Sequence, residues 1–260
     1  VRWGDPLFSD APTFDKATGV PTDGSDRVFG ENTDGMELFQ KGGTELLVVN
    51  SEYVNPKINL PAAQRGKASS ADDIVRLQNF QGVTVMEVTE AEAGWEMRID
   101  GPAAGHDLLK TAADPSGIQS LGTFNNCGSG RTPWGTYLTC EENFNGYFGT
   151  TTELSLDDVH AKGFKRYGVS TKVDPGRYNY HGFDALFDLS KNTNEPHLAG
   201  YIFEVDPLNP YAALFKHTAL GRFKHETAAC TLTPEGQVVV YMGDDARGEY
   251  MYKWISRDIY

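Results

Sequence analysis

Apolar residues along this chain come in short runs rather than long periodic stretches. The runs are TELLVVNSEY (44–53), VTVMEVTE (83–90), WEMRI (95–99), GTYLTCEEN (135–143), GYIFEVD (200–206), ALFKHTALG (213–221), TAACTLT (227–233), QVVVYMGDD (237–245) and EYMYKWI (249–255). They are β-branched or aromatic and bounded by Gly, Pro and Asp, so each reads as a strand. One stretch carries a helical pattern: SSADDIVRLQNF (69–80) offers a Ser cap, early Asp residues, and apolar positions at Ile74, Leu77 and Phe80. Residues 1–43, rich in Gly, Asp, Pro and Thr, read as a loop-rich leading segment, and 150–187 reads as polar loop. The class is all-β, with long loops and few short helices.

Three of the runs share a further pattern, an apolar stretch ending in carboxylates or amides: LLVVNSE, TYLTCEEN and VVVYMGDD. Their acidic ends, Glu52, Glu142 and Asp244, are separated by 90 and 102 residues. Propeller blades recur at about 40–45 residues, so each gap approximates two blades. A propeller lines one channel with its innermost strands and can gather such ends at one mouth, whereas a sandwich would scatter them. The expected architecture is therefore a single β-propeller domain over 1–260. Within it, TPEG (233–236) reads as the tight turn of a hairpin, with Thr233 opposite Gly236, Glu226 opposite Gly243 and His225 opposite Asp244.

Composition narrows the function. The 260 residues carry 36 acidic against 23 basic side chains, a net charge of -13, which argues against a partner bound through its phosphate backbone. No run of 18 apolar residues exists, so no membrane span is expected. The start, VRWGDPLF, has neither a basic nor an apolar signal region; a processed, exported chain and a cytosolic one both read this way. The three cysteines show no CxxC spacing, which removes zinc-finger and thioredoxin-like readings; a disulfide between two of them stays open. The six histidines form no HxH or HExxH motif, and Ser129 lacks the G-x-S-x-G elbow.

What remains is a set of hard oxygen donors at the strand ends: Asn50, Glu52, Glu141, Glu142, Asn143, Glu226, Asp244 and Asp245. Adjacent carboxylates repel, by about 1 kcal/mol at 4 Å in water and about 4 at an effective dielectric of 20. Solvation tolerates that and a bound cation reverses it; recurrence on three runs favours the cation. Such donors suit calcium, or iron where a thiolate joins them. Alternation sends Glu141 and Glu142 to opposite faces unless the strand bulges, so at most one of them lines a channel. Cys127, in a loop with Gly128 and Gly130, is the candidate thiolate, whereas Cys140 and Cys230 lie within apolar strands and read as inert core. Lys224, Arg222, Arg131 and Lys253 are the candidate anion binders, and His225 is the one histidine beside a carboxylate cluster.

Longer motifs now become recognisable. GPAAGHDLLKTAADPSG, NNCGSGRTPWGTYLTCEENFNGYFG, TALGRFKHE and VVVYMGDDARGEYMYKW closely resemble the PhoX-type bacterial alkaline phosphatases, with matches from RWGDPLF to YKW. The resemblance implies a six-bladed, monomeric propeller exported by the twin-arginine route, hence periplasmic or secreted, that hydrolyses small phosphate monoesters. It implies a cluster of iron (Fe3+) and calcium (Ca2+) at the channel mouth. The family's iron-binding cysteine matches Cys127, and its carboxylate ligands match Glu52, Glu142, Glu226 and Asp244. Joined to the strand-end argument, this gives Cys127 and Glu226 as catalytic, and Lys224 and Arg222 as substrate-binding. Glu52, Cys127, Glu141, Glu142, Glu226, Asp244 and Asp245 are expected to hold metal. Two departures stand out. Ser51 replaces a family His in NSEY, and the family's C-terminal part, with its Arg-Pro-Glu stretch, has no counterpart before Tyr260, so the propeller is expected to be incomplete. A calcium-stabilised propeller that binds without catalysis, and a calcium-dependent lactonase-like hydrolase, are the alternatives; the second has no use for Cys127.

Overall fold

A computed structural model describes residues 28–41, 44–86, 97–100, 109–209 and 212–260, with short pieces at 3–4, 7, 14–15 and 20–21. Near the start, β1 (Phe14–Asp15) pairs with β2 (Val20–Pro21). A first sheet follows from β3 (Thr33–Lys41), β4 (Thr44–Ser51) and β5 (Gly82–Met86), in that order and antiparallel. Two helices, α1 (Pro56–Asn59) and α2 (Ala71–Gln78), fill the β4–β5 connection. A second sheet contains β6 (Met97–Asp100), β7 (Gln119–Ser120), β8 (Asn126–Arg131), β9 (Tyr137–Glu141), β10 (Ile202–Val205) and β11 (Leu214–His217), ordered β7-β6-β11-β10-β9-β8. Helix α3 (Asp158–Tyr167) lies in the long β9–β10 connection. The third sheet is β12 (His225–Leu232), β13 (Gln237–Asp244) and β14 (Met251–Ile259).

The all-β expectation holds, and three additions correct its detail. Strand β3 lies in the stretch read as loop, and it pairs antiparallel with β4 from Thr33 opposite Ser51 to Lys41 opposite Thr44. Helix α3 lies in the segment read as polar loop. Asp157 caps it by accepting from the His160 N–H at 2.8 Å, Gly168 ends it at φ 71°, and Phe164 is its one buried residue. So thin an apolar face leaves little periodicity to read. The TPEG hairpin closes one residue wider than expected, with the Thr233 N–H donating to Gln237 O and Gly236 in the left-handed region at φ 92°. The expected residues 87–90 and 95–96 lie outside the described ones.

Alternation along the second sheet builds two cores. Tyr137, Phe203 and Val205 point to one face and pack with Phe39, Leu46 and Val48 of the first sheet. Leu138, Cys140 and Ile202 point to the other and pack with Ala228, Val238, Val240 and Met242 of the third. The middle sheet is thus sandwiched between its neighbours, and the three strands β3, β8 and β12, each at an edge of its own sheet, come side by side. Glycine makes that approach close: a Cβ at Gly128 would run into the Glu226 carbonyl, and one at Gly130 into that of Ala228. No described helix is long and apolar enough to cross a membrane.

Candidate metal centre

The three adjacent edge strands carry the same irregularity. On β3, Asp34 and Gly35 together oppose Asn50; on β8, Cys127 and Gly128 oppose Cys140; on β12, Glu226 and Thr227 oppose Gly243. Each is a β-bulge, which bends a strand and re-aims a side chain that regular pleating would send elsewhere. The first residue of every bulge reaches one small region. Cys127 Sγ lies 3.3 Å from Asp34 Oδ2 and 3.6 Å from Glu226 Oε1. Ligand atoms of Asp34, Glu52 and Cys127 fall within 4.8 Å of one another, as do those of Cys127, Glu142 and Glu226.

The surrounding residues hold this arrangement. Asn50 Nδ2 donates to the Cys127 carbonyl at 2.6 Å and the Gly128 carbonyl at 3.2 Å, pinning the β8 bulge to the first sheet. Asn125, left-handed at φ 53°, donates through Nδ2 to Glu52 at 2.7 Å and Glu142 at 3.4 Å. Its Oδ1 faces the Tyr147 hydroxyl at 3.4 Å, which also bonds Gln81. One amide thus ties two carboxylates together.

The electrostatics are those of an uncompensated cluster. Burial raises the Glu142 pKa, and contact with Asp245 and the charges of Glu226 and Glu52 add to it, to about 8. Burial likewise raises Glu52 and Glu226. The Cys127 thiol is pushed far above its ordinary range by burial and then by Asp34. Glu52, Cys127, Glu142 and Glu226 thus all favour a proton, which is the condition a cation reverses. One sulfur among several carboxylate oxygens fits iron beside calcium; it lacks the ligands tetrahedral zinc favours.

Placement separates the expected residues. Glu52, Cys127, Glu142 and Glu226 come together, and Asp245 stands beside Glu142 and Glu226. Lys224 lies at the rim, with Nζ 3.2 Å from Asn143 Oδ1. Three residues are placed elsewhere. Glu141 turns to the opposite face of β9 and bonds Lys216 Nζ at 2.8 Å, with the Gly200 and Tyr201 N–H groups at 2.9 and 3.2 Å. Arg222 donates to the Ala199 and Pro196 carbonyls and lies over the Phe144 and Tyr167 rings, so its guanidinium is a structural clamp. Asp244 pairs with Arg166 at 2.9 Å. All three cysteines are free, which closes the disulfide option, and Cys140 and Cys230 sit in or against the apolar layer between sheets. Ser51 is buried against Gly30. Asp34 was missed because its strand read as loop; the TDG triplet ahead of a Gly-Gly hairpin is the signal that could have found it.

A family model for alkaline phosphatase PhoX matches residues 1–260. The chain belongs to the PhoX alkaline phosphatase family. Among solved structures, Pseudomonas fluorescens PhoX in complex with vanadate, a transition state analogue, is similar at 41% identity and a TM-score of 0.85. The alignment covers 100% of this PhoX-family chain and 47% of that one, so the chain spans about half the length of its relative. No curated protein matches it.

Proposed function

We propose that this chain carries the metal-holding part of a phosphomonoesterase. The observation behind it is the meeting of Asp34, Cys127 and Glu226 from three bulged strands with Glu52 and Glu142. The family membership and the vanadate complex of the relative support the same reading. Asp34, Glu52, Cys127, Glu142 and Glu226, with Asp245 beside them, would hold iron and calcium. Bound there, such cations supply Lewis acidity to a phosphoryl oxygen and a lowered pKa to water. Asn125 orients Glu52 and Glu142, Asn50 fixes the backbone that aims Cys127, and Lys224 offers a positive charge to an anionic ester at the rim. The stacking of three sheets with their edge strands inward supports the propeller as the finer architecture. We extend the proposal to an exported monomer, which fractionation of the native host and light scattering test.

Chelation provides the main test. A stripped protein is expected to lose hydrolysis of a chromogenic phosphate ester, and calcium to restore part of it. Cys127→Ser is expected to lose iron by elemental analysis while its circular dichroism stays unchanged. An unchanged rate after stripping overturns the metal reading. One observation favours the binding-module alternative: Arg222, an expected substrate ligand, is engaged elsewhere. A protein loaded with both metals that hydrolyses no ester would establish that alternative.

A further inference from the structure

The chain beyond Glu52 folds back toward the segment around Arg177 and encloses an open cleft of about 350 Å³. Lys57, Arg65, Lys67 and Arg177 line it together with Tyr53. All four cations are exposed, and among the described residues none has a carboxylate within ion-pair distance. In a chain of net charge -13, four uncompensated cations around one cavity are a concentrated positive field rather than a solvating surface.

The frame beneath them is held. Glu31, the nearby carboxylate, is buried and accepts from the Asn55 N–H at 2.8 Å and from Asn59 Nδ2 at 2.6 Å. Asn55 caps α1 by accepting from the Lys57 N–H at 3.1 Å. Lys67 Nζ donates to the Gly176 carbonyl and, at 3.4 Å, to that of Arg177. The Arg177 guanidinium lies 5.1 Å over the Tyr53 ring and 4.9 Å over that of Tyr178. The cleft also adjoins the carboxylate cluster. Tyr53, which lines the cleft and carries the Arg177 guanidinium over its ring, directly follows Glu52 of the cluster in the chain.

We propose that this cleft binds a second phosphoryl group, so that a multiply phosphorylated ligand spans from the carboxylate–thiol centre to Lys57, Arg65, Lys67 and Arg177. The first half of that statement rests on the phosphomonoesterase reading; the second stands on the cleft. Arginine forks match phosphate oxygens in pairs and lysines add point charge, a combination suited to clustered phosphates. The ligand is either a multiply phosphorylated substrate or a free polyphosphate anion.

The double variant Lys57→Gln/Arg65→Asn tests it; asparagine tolerates the left-handed φ of 52° at position 65. Pyrophosphate binding by calorimetry is expected to weaken at least tenfold. The kcat/KM for a sugar bisphosphate is expected to fall at least tenfold, through KM, with that for p-nitrophenyl phosphate within twofold of wild type. Weakened pyrophosphate binding with unchanged bisphosphate kinetics keeps the site and identifies its ligand as the free anion. Equal pyrophosphate affinity in both proteins overturns the proposal, as does an equal loss for both esters. If neither ester is hydrolysed, the phosphatase reading fails while the pyrophosphate arm still decides the cleft.

Discussion

Glu141 and Glu142 are neighbours at the end of one strand, and the fold treats them oppositely. Glu141 is wholly buried, yet it meets Lys216 Nζ at 2.8 Å and the backbone N–H groups of Phe124, Gly200 and Tyr201, so its charge is balanced inside the protein. Glu142, also buried, faces Glu52, Glu226 and Asp245, and its pKa rises to about 8. Burial alone therefore does not distinguish a structural carboxylate from a candidate ligand; the sign of the surroundings does. The first is balanced within the chain, and the second is left among like charges.

The sharpest way to break that contrast is to remove the internal cation. Lys216→Met leaves Glu141 buried without its partner, and breaking such a pair costs about 3–5 kcal/mol. Urea unfolding should show a loss in that range, largely recovered in Lys216→Met/Glu141→Gln. A loss below about 1 kcal/mol would mean that Glu141 is not charge-balanced as described.

A second buried acid sharpens the rule that surroundings decide. Burial raises Glu195 from its ordinary 4.5 to about 7, against the pull of Lys216, and its Oε2 has no hydrogen-bond partner among the described residues. Its folded pKa lies above its unfolded one, so the folded state holds the extra proton. The stability it contributes is full below about pH 4.5, is lost as pH rises through 7, and amounts to at most about 3 kcal/mol. Glu195→Gln should flatten the stability profile across that window; an unchanged slope would show that Glu195 does not cause it.

The smallest effect has the opposite sign. Glu142→Gln removes one charge from the crowded side, so the metal-free chain above pH 8 should unfold about 1 kcal/mol later than wild type. Calcium affinity by calorimetry should fall at least tenfold in the same variant. Destabilisation of the metal-free form would show that Glu142 serves the fold rather than a cation.

The strand pattern was legible because apolar runs bounded by Gly, Pro and Asp encode pleated, buried segments. Cys127, Glu52, Glu142 and Glu226 were legible as chemistry through the motifs around them. The bulges were not. Regular pairing from TPEG places His225 opposite Asp244, and the structure has that pair, but by another route. The wider turn shifts the register by one, pairing Ala228 with Met242, and the bulge at Glu226 and Thr227 shifts it back. Two local departures cancel, which no strand periodicity reveals. Arg222 and Asp244 were misplaced for a related reason: GRF and GDD show charge but not that Arg222 meets the Ala199 and Pro196 carbonyls or that α3 brings Arg166 to Asp244. Long-range partners decide those roles.

The shared bulge geometry also bears on how this sheet system can change by insertion and deletion. Removing Gly35, Gly128 or Thr227 would leave one residue facing one residue along the whole ladder, a simpler pairing than the present one. The hydrogen-bonded sheet would lose little, while the side chain before the gap would lose the bend and re-aiming that the bulge gives it. Single-residue deletions at these three points therefore separate heritable fold from heritable chemistry: lineages can drift toward more regular strands only by surrendering the cluster.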